Sequence, residues 1–202
     1  MSMTPAKALP KALHGAKAVA DALRRRFVGD RRGAILVELA VALPVIVVII
    51  IGGFDTGRYV LLHQKMNRAA ATMADLVSRP TSISSAEIDV MFSAAQGLMR
   101  PFDMAGRGRV IVSSVSKDSG GPEEIDWQYA GGGALSATSA IGVAGGAPTL
   151  PDGFTVRDDE NLIVAEVFFD YEPVFMGFVV EPTVVRHFAI RRPRRGDLSN
   201  LD

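Results

Sequence analysis

Cysteine is absent from this chain of 202 residues. Without thiols, the protein has no disulfide, no thiolate metal ligand and no cysteine nucleophile. Histidine is scarce: His14, His63 and His187 are far apart in the sequence, and none has a second candidate ligand at the short spacing typical of metal sites. The sequence also lacks a G-x-S-x-G motif, which would indicate a serine on a nucleophile elbow. These absences argue against an enzyme, and we expect no cofactor and no metal.

The two signs of charge are separated along the chain, although the net charge is zero. Eight basic and two acidic residues precede Gly33, whereas 14 basic and 20 acidic residues follow it. This split indicates two environments. The basic part has an apolar stripe at steps of three and four, typical of an amphipathic helix on an anionic lipid surface, but a disordered basic tail fits equally well. The stripe consists of Leu9, Leu13, Ala16, Ala20, Leu23 and Phe27. No recognition fold accompanies these charges, so we expect no nucleic-acid partner.

The longest apolar run is AILVELAVALPVIVVIII, residues 34–51, and Gly52, Gly53 and Phe54 extend it. As a helix, this run would measure roughly 27–31 Å, close to the hydrocarbon thickness of a bilayer. A core helix buried on every side is one alternative, but it would be unusual in so small a chain. A cleaved secretory signal is another, but its apolar region is normally about 7–15 residues long. We therefore interpret residues 34–54 as an uncleaved transmembrane helix.

The basic residues that flank the apolar run favour one orientation. Arg24, Arg25, Arg26, Arg31 and Arg32 precede it closely, and fewer basic residues follow it, at positions 58, 65 and 68. Positive charge favours the cytoplasmic side of a membrane. We predict a single-pass protein of the bacterial inner membrane, with a cytoplasmic amino terminus and a periplasmic carboxy-terminal domain.

Glu38 is the one charged residue within the apolar run. An ionised carboxylate in a membrane helix costs about 2.5–3.5 kcal/mol on insertion scales, and less near the interface. Glu38 could be an interfacial acid paired with a nearby arginine. Alternatively, the spacing matters: Gly33 is followed by Ala34, and Glu38 is the fifth residue counted from Ala34. This GAILVE sequence resembles the prepilin peptidase site. The resemblance implies cleavage between Gly33 and Ala34, after which Glu38 would neutralise the new terminal ammonium of a neighbouring subunit.

A longer stretch, residues 31–79, resembles the TadE-like segment of tight-adherence (Flp-type) pilus assembly proteins. The resemblance rests on Arg32-Gly33, Val37-Glu38, Leu43-Pro44, Gly53, Gly57-Arg58 and the alanines at 69–71. Residues 162–175 and 189–194 show a weaker likeness. The leader is long for a prepilin, and Leu39 stands where this group often has an aromatic residue. The resemblance implies a minor pseudopilin whose partners are prepilin peptidase, other pilin or pseudopilin subunits, an inner-membrane assembly platform and membrane lipid.

The apolar pattern predicts an α+β fold with a pilin-like long helix at its start. Apolar residues recur at steps of four and three after the span, at Leu62, Met66, Ala69, Met73 and Leu76. The first helix should therefore continue to about Ser78 and end before Pro80. Pro44 should bend its membrane half. We expect the outer stripe to pack on the protein's own sheet, with another pilin as the alternative partner.

A second short helix and a small, mostly antiparallel sheet should follow. Ser84 and Glu87 fit a capping box for the helix, and Arg100-Pro101 ends it. Its apolar stripe is Ile88, Met91, Phe92, Ala95 and Leu98. Strands are predicted at 110–115, 125–129, 162–171 and 184–190, with a flexible loop of small residues at 131–148. The predicted division is a leader at 1–33, a span at 34–54, an exported helix at 55–79 and an α+β domain at 80–202.

Two charged clusters have more than one interpretation. Asp152, Asp158, Asp159 and Glu160 could bind Ca²⁺ through oxygen ligands, but their spacing does not fit an EF-hand loop, and a solvated acidic turn is favoured. A basic cluster near the other end of the domain is either a solvated strand terminus or a contact for lipid head groups or an acidic partner. It comprises Arg186, Arg191, Arg192, Arg194 and Arg195.

The leading functional hypothesis is a non-enzymatic pseudopilin-like subunit for a Flp/Tad-type pilus or a related secretion apparatus. The alternative is an unprocessed, single-pass, membrane-anchored interaction module of the envelope, in which Glu38 is merely interfacial. A membrane-anchored enzyme that uses Asp152 or Asp158 is a third hypothesis, disfavoured by the missing catalytic motifs.

Overall fold

The computed structural model describes Asp21 and residues 31–151, 154–175, 177, 180–194 and 198–202; at positions 31 and 32 it describes the backbone alone. The predicted leader stripe, His14, Asp152 and Arg195 lie outside these residues. The chain divides into two compact units, Met1–Ile50 and Ile51–Asp202. The domain boundaries predicted from the sequence stay predictions.

Helix α1 runs from Arg31 to Val77 and includes Pro44. Its end confirms the prediction that the helix continues past the apolar run to about Ser78. In the first unit, residues 33–50 are exposed except for Ala42, which is half-buried. Pro44 donates no backbone hydrogen bond, yet the helix continues through it.

In the second unit, the later part of α1 forms one wall of the hydrophobic core. Leu62, Met66, Ala69 and Met73 are completely buried, and Leu76 is half-buried. The four completely buried residues belong to one core cluster with residues of the sheet, including Val110, Val112, Ala165 and Val167. The expectation that this stripe packs on the protein's own sheet is confirmed.

Helix α2, Ser85–Met99, begins with the predicted capping box. The Ser84 hydroxyl accepts a hydrogen bond from the Glu87 amide, and the Glu87 carboxylate accepts one from the Ser84 amide at 2.9 Å. The buried face of α2 includes Ile88, Phe92 and Ala95, as predicted. The prediction for Leu98 is wrong: it is exposed, and the following residue, Met99, is buried instead. A short helix, α3 at Met104–Arg107, is too brief for apolar periodicity to reveal.

The sheet has four antiparallel strands: β1 (Gly108–Lys117), β2 (Glu123–Gly131), β3 (Glu160–Tyr171) and β4 (Thr183–Arg191). Their order is β2-β1-β3-β4. All four predicted strands are present, each longer by one or two residues at one or both ends. The register of β1 against β2 shifts between Ser114 and Val115. Because β2 has one extra residue at this point, Trp127 belongs to the helix-side core, whereas Ile125, two residues earlier, belongs to a smaller cluster.

The small-residue loop predicted to be flexible is attached to the sheet at several points. Its Ile141 is buried in the smaller cluster beside Ile125 and Leu162. The Ile125 amide donates to the Gly146 carbonyl at 2.9 Å, and the Gly145 amide donates back to the Ile125 carbonyl at 2.8 Å. Composition alone predicted mobility, but the small residues allow a close approach to the sheet. A Cβ on Gly133, for example, would overlap the Gly108 carbonyl oxygen.

Residues 198–202 complete the core. Leu198 is completely buried, and its carbonyl accepts a hydrogen bond of 2.7 Å from the Trp127 indole. The Asp202 amide donates to the Ile83 carbonyl, and the Asp202 carbonyl accepts from the Ser85 amide. The helix-side face of the sheet is thus closed by α1, α2 and this segment.

Candidate functional site

The residues predicted for processing and assembly lie on one stretch of α1, residues 33–50, which we call the assembly segment. Gly33, Ala34, Glu38 and Pro44 are all helical here. Ala34 and Glu38 are four residues apart, so they lie on the same helix face at a rise of about 6 Å. A Cβ added to Gly33 would meet nothing within 4 Å. Packing within the described residues therefore does not require a glycine at this position.

The assembly segment exposes an unusual amount of apolar surface. Twelve large apolar side chains between Ile35 and Ile50 are 43–67% exposed. Burying such side chains stabilises a protein by about 1.5–3 kcal/mol each, so water is an unfavourable environment for them. The helix is long and apolar enough to cross a membrane, and its most apolar stretch is unburied. Lipid or other helices would supply the apolar surroundings that this segment needs.

Two groups within the assembly segment need a polar partner in apolar surroundings. Glu38 is exposed, and an ionised carboxylate away from water requires a cation nearby. Pro44 has no N–H, so the Ala40 carbonyl lacks its usual helical donor. The alternative that pairs Glu38 with Arg31 or Arg32 involves side chains outside the described residues. The roles of Glu38 and Pro44 in assembly stay predictions.

Asp55, directly after the apolar run, fixes the loop between β3 and β4. It is completely buried, and its carboxylate accepts hydrogen bonds from the amides of Val174 at 3.0 Å and Phe175 at 3.2 Å. The Tyr171 hydroxyl donates to the Asp55 backbone carbonyl at 3.2 Å. Burial raises the pKa of Tyr171, and the Asp55 charge raises it further. Sequence reasoning missed this contact, although a lone acid at the end of an apolar run was a visible sign.

The fold also pairs two histidines that are 124 positions apart in the sequence. His63 Nδ1 on α1 lies 2.8 Å from His187 Nε2 on β4, and the His63 ring also packs edge-on against Tyr59. Burial lowers the pKa of His187, and His63 lowers it further. Sequence spacing could not reveal this pair because it depends on how α1 docks on the sheet. Nowhere in the described part of the chain do three or more metal-binding side chains converge.

The acidic turn is largely occupied by ion pairs. Asp158 lies 2.8 Å from Lys117, and Glu160 lies 3.7 Å from Arg157 and 3.3 Å from Arg192. Asp158 raises the pKa of Lys117, chiefly through a hydrogen bond. These contacts favour a stabilising turn over a cation site.

One arginine of the basic cluster contacts a buried acid that sequence reasoning did not single out. Glu166 on β3 is completely buried, and its carboxylate accepts from Arg186 Nε at 2.7 Å and from the Ala140 amide at 3.1 Å. The Ser139 hydroxyl also donates to it. Glu166 therefore joins β3, β4 and the small-residue loop, and Arg186 has a partner within the fold.

Comparison with known proteins gives a family match for the part of the chain that contains the assembly segment. A sequence model described as TadE-like protein matches residues 33–75, beginning at Gly33. No curated protein and no solved structure gives a significant match to the chain. The match confirms the resemblance seen in the sequence, and the TadE-like family implies a role in Tad pilus assembly. Residues 33–75 of the chain are therefore identified as a TadE-like segment.

Proposed function

We propose that the protein is a non-enzymatic, single-pass membrane subunit that acts in assembly of a Flp/Tad-type pilus or a related secretion apparatus. The observation that carries this proposal is the contrast along α1. The later part of the helix is buried in its own domain, whereas the assembly segment has exposed apolar side chains and a single carboxylate. An unpartnered helix of this kind is suited to packing among lipids and the helices of other pilin or pseudopilin subunits.

Processing by prepilin peptidase between Gly33 and Ala34 would prepare the helix for assembly. Hydrolysis of that peptide bond leaves a carboxylate on Gly33 and an ammonium group on Ala34. The ammonium would add to the positive end of the helix dipole. Glu38 lies one turn away on the same face and would neutralise that charge, either within its chain or in a neighbouring subunit. In apolar surroundings, the two charges offset each other's desolvation cost only if they lie close together.

Processing can be tested by expressing the full chain with and without a prepilin peptidase and sequencing the amino terminus of the membrane-bound product. We expect Ala34 as the first residue only when the peptidase is present. Gly33→Val should block cleavage, whereas Gly57→Val should not. The two glycines are a matched pair because neither has an atom within 4 Å of an added Cβ. A product that never begins at Ala34 would favour the unprocessed envelope module instead.

The role of Glu38 can be tested separately from cleavage. Glu38→Ala should still be processed but should lose crosslinking to other pilus subunits, because the terminal ammonium would remain unpaired. Glu38→Asp keeps the charge and should restore part of the crosslinking. Wild-type levels of assembly for Glu38→Ala would refute the charge-pairing mechanism.

The absence of cysteine allows a direct test of orientation. Single cysteines can be introduced at Lys11, in the leader, and at Asp118, which is exposed in the second unit. A membrane-impermeant maleimide applied to the periplasmic side should label the cysteine at 118 in intact cells. The cysteine at 11 should react only after the membrane is opened. Its labelling should be measured in cells without the peptidase. The reverse pattern would contradict the proposed topology.

A further inference from the structure

We propose that the loop between β3 and β4 makes a second contact with the membrane, beside the point where α1 leaves it. The contact consists of Phe54, Val174 and Phe175, which we call the interfacial patch, and its partner is the lipid interface. The inference rests on the proposed membrane insertion of α1, and it adds a lipid-binding surface to the domain that the span anchors.

The interfacial patch is built from two distant parts of the sequence. Phe54 lies on α1, and its ring packs edge-on against Phe175 with 5.6 Å between ring centroids. The side chains of Phe54, Val174 and Phe175 are 50%, 48% and 60% exposed. Three large apolar side chains are thus held together at the domain surface, where each contacts solvent in the absence of a partner.

Its position in the chain favours lipid as the partner. Phe54 follows Ile51, the last residue of the apolar run, by less than one helical turn. Because Phe175 contacts Phe54, the loop lies at the same level as this end of the run. Aromatic side chains are enriched at that level in membrane proteins, where their rings occupy the head-group region. Continuity with the span therefore favours the bilayer over a separate protein partner.

The backbone of the loop is prepared for an environment poor in water. An amide N–H that enters an apolar region must find a partner within the protein. Asp55 supplies this partner for both Val174 and Phe175. The Asp55 side chain is itself completely buried, so its charge faces the loop amides rather than the lipid. Glu172, the first residue of the loop, is held 2.8 Å from Arg107, so its charge has a partner within the domain.

Tryptophan fluorescence in the full-length protein tests the proposal. The chain has one tryptophan, Trp127, which is buried and provides a constant background. Phe175→Trp, Ile46→Trp and Val90→Trp place a second reporter in the patch, in the span and on the exposed face of α2. Each variant is reconstituted in phosphatidylcholine vesicles whose acyl chains are brominated close to the head group. We expect bromine to quench the added fluorescence of Phe175→Trp and Ile46→Trp but not that of Val90→Trp.

The three reporters separate the ways in which the proposal can fail. Quenching at position 46 without quenching at 175 would overturn the lipid contact while leaving the proposed function intact, and the patch would then face protein. Quenching at neither position would overturn both the span and the contact. Equal quenching at 175 and 90 would indicate adsorption of the whole domain and would also overturn the proposal. Circular dichroism of each variant checks that the exposed substitutions preserve the fold.

Discussion

At the scale of single residues, the second unit places charges inside its core by giving each several partners. The Glu166 carboxylate has no exposure and accepts hydrogen bonds from an arginine, a hydroxyl and a backbone amide. Such an arrangement repays the desolvation of the carboxylate only while all its partners are present. Glu166 should therefore be far more sensitive to substitution than the surface acids.

Glu166→Ala is expected to lower the free energy of unfolding by about 3 kcal/mol, because Arg186 and the Ala140 amide lose their acceptor. Glu124→Ala, at an exposed site on β2, should change it by less than about 0.5 kcal/mol. Urea unfolding in detergent micelles, followed by Trp127 fluorescence, measures both. Adding Arg186→Ala to Glu166→Ala should recover part of the loss by removing an uncompensated charge. A similar cost at positions 166 and 124 would contradict this account.

The His63–His187 pair predicts a dependence of stability on pH. Because burial and His63 lower the pKa of His187, the folded state binds a proton less readily than the unfolded state. The free energy of unfolding should be highest above the usual histidine pKa of about 6.5 and fall as the pH drops below it. Thermal unfolding across this range should show a shallower pH dependence for His187→Gln than for the wild type. Identical slopes for the variant and the wild type would exclude the histidine pair as the source of the pH dependence.

At the scale of elements, local chemistry determined most of what the sequence could predict. The capping box at Ser84 is a four-residue pattern, and the strands of the sheet are short apolar runs between turn residues. Their assignment needs no knowledge of distant contacts. The predicted site depends in the same way on linear spacing: Gly33, Ala34 and Glu38 follow one another within six residues.

The features that the sequence did not predict arise from contacts between distant segments. The register shift at Ser114 depends on the pairing of β1 with β2. The small-residue loop is fixed by Glu166, which lies 26 residues beyond Ala140. The Val174 amide donates its hydrogen bond to Asp55, which lies 119 residues earlier in the sequence. Neither periodicity nor composition encodes which distant polar groups will meet, so these contacts required the structure.

The start of α2 provides a test at this scale. Ser84→Ala should lower the free energy of unfolding by about 1 kcal/mol, because it removes the acceptor for the Glu87 amide. The backbone hydrogen bond from Ser84, which makes the Glu87 carboxylate part of the cap, also lowers the pKa of Glu87. Ser93→Ala, at an exposed site later in the same helix, is the matched control and should be neutral or slightly stabilising. Urea titration of both variants decides the matter, and equal effects would argue against the cap.

At the scale of the whole molecule, α1 contributes to both compact units, which divide after Ile50. The boundaries predicted from the sequence at 33/34, 54/55 and 79/80 stay predictions; in that division, residues 55–79 form the outer part of α1. The structure buries Leu62, Met66 and Met73 of that part in the core of the sheet domain. The second unit should therefore depend on residues that precede position 80.

Two fragments test this dependence. We expect residues 51–202 to fold alone and residues 80–202 to remain unfolded. The shorter fragment lacks the α1 side chains, each of which contributes about 1.5–3 kcal/mol on burial, and a domain has only about 5–15 kcal/mol of net stability. Circular dichroism, protease resistance and Trp127 emission distinguish the two states. A cooperatively folded 80–202 fragment would show that the sheet does not need the helix.

The burial of Leu198 sets an order of events in biosynthesis. A ribosome delivers the chain from its amino terminus, so the Trp127 indole is made long before the carbonyl that accepts its hydrogen bond. The backbone groups of Ile83 and Ser85 are made earlier still, and their hydrogen-bond partner is Asp202. While translation continues, the nascent domain has an open core and unpaired polar groups, and it becomes native only after residues 198–202 have been delivered. Until then, we expect the incomplete domain to be recognised by chaperones and proteases.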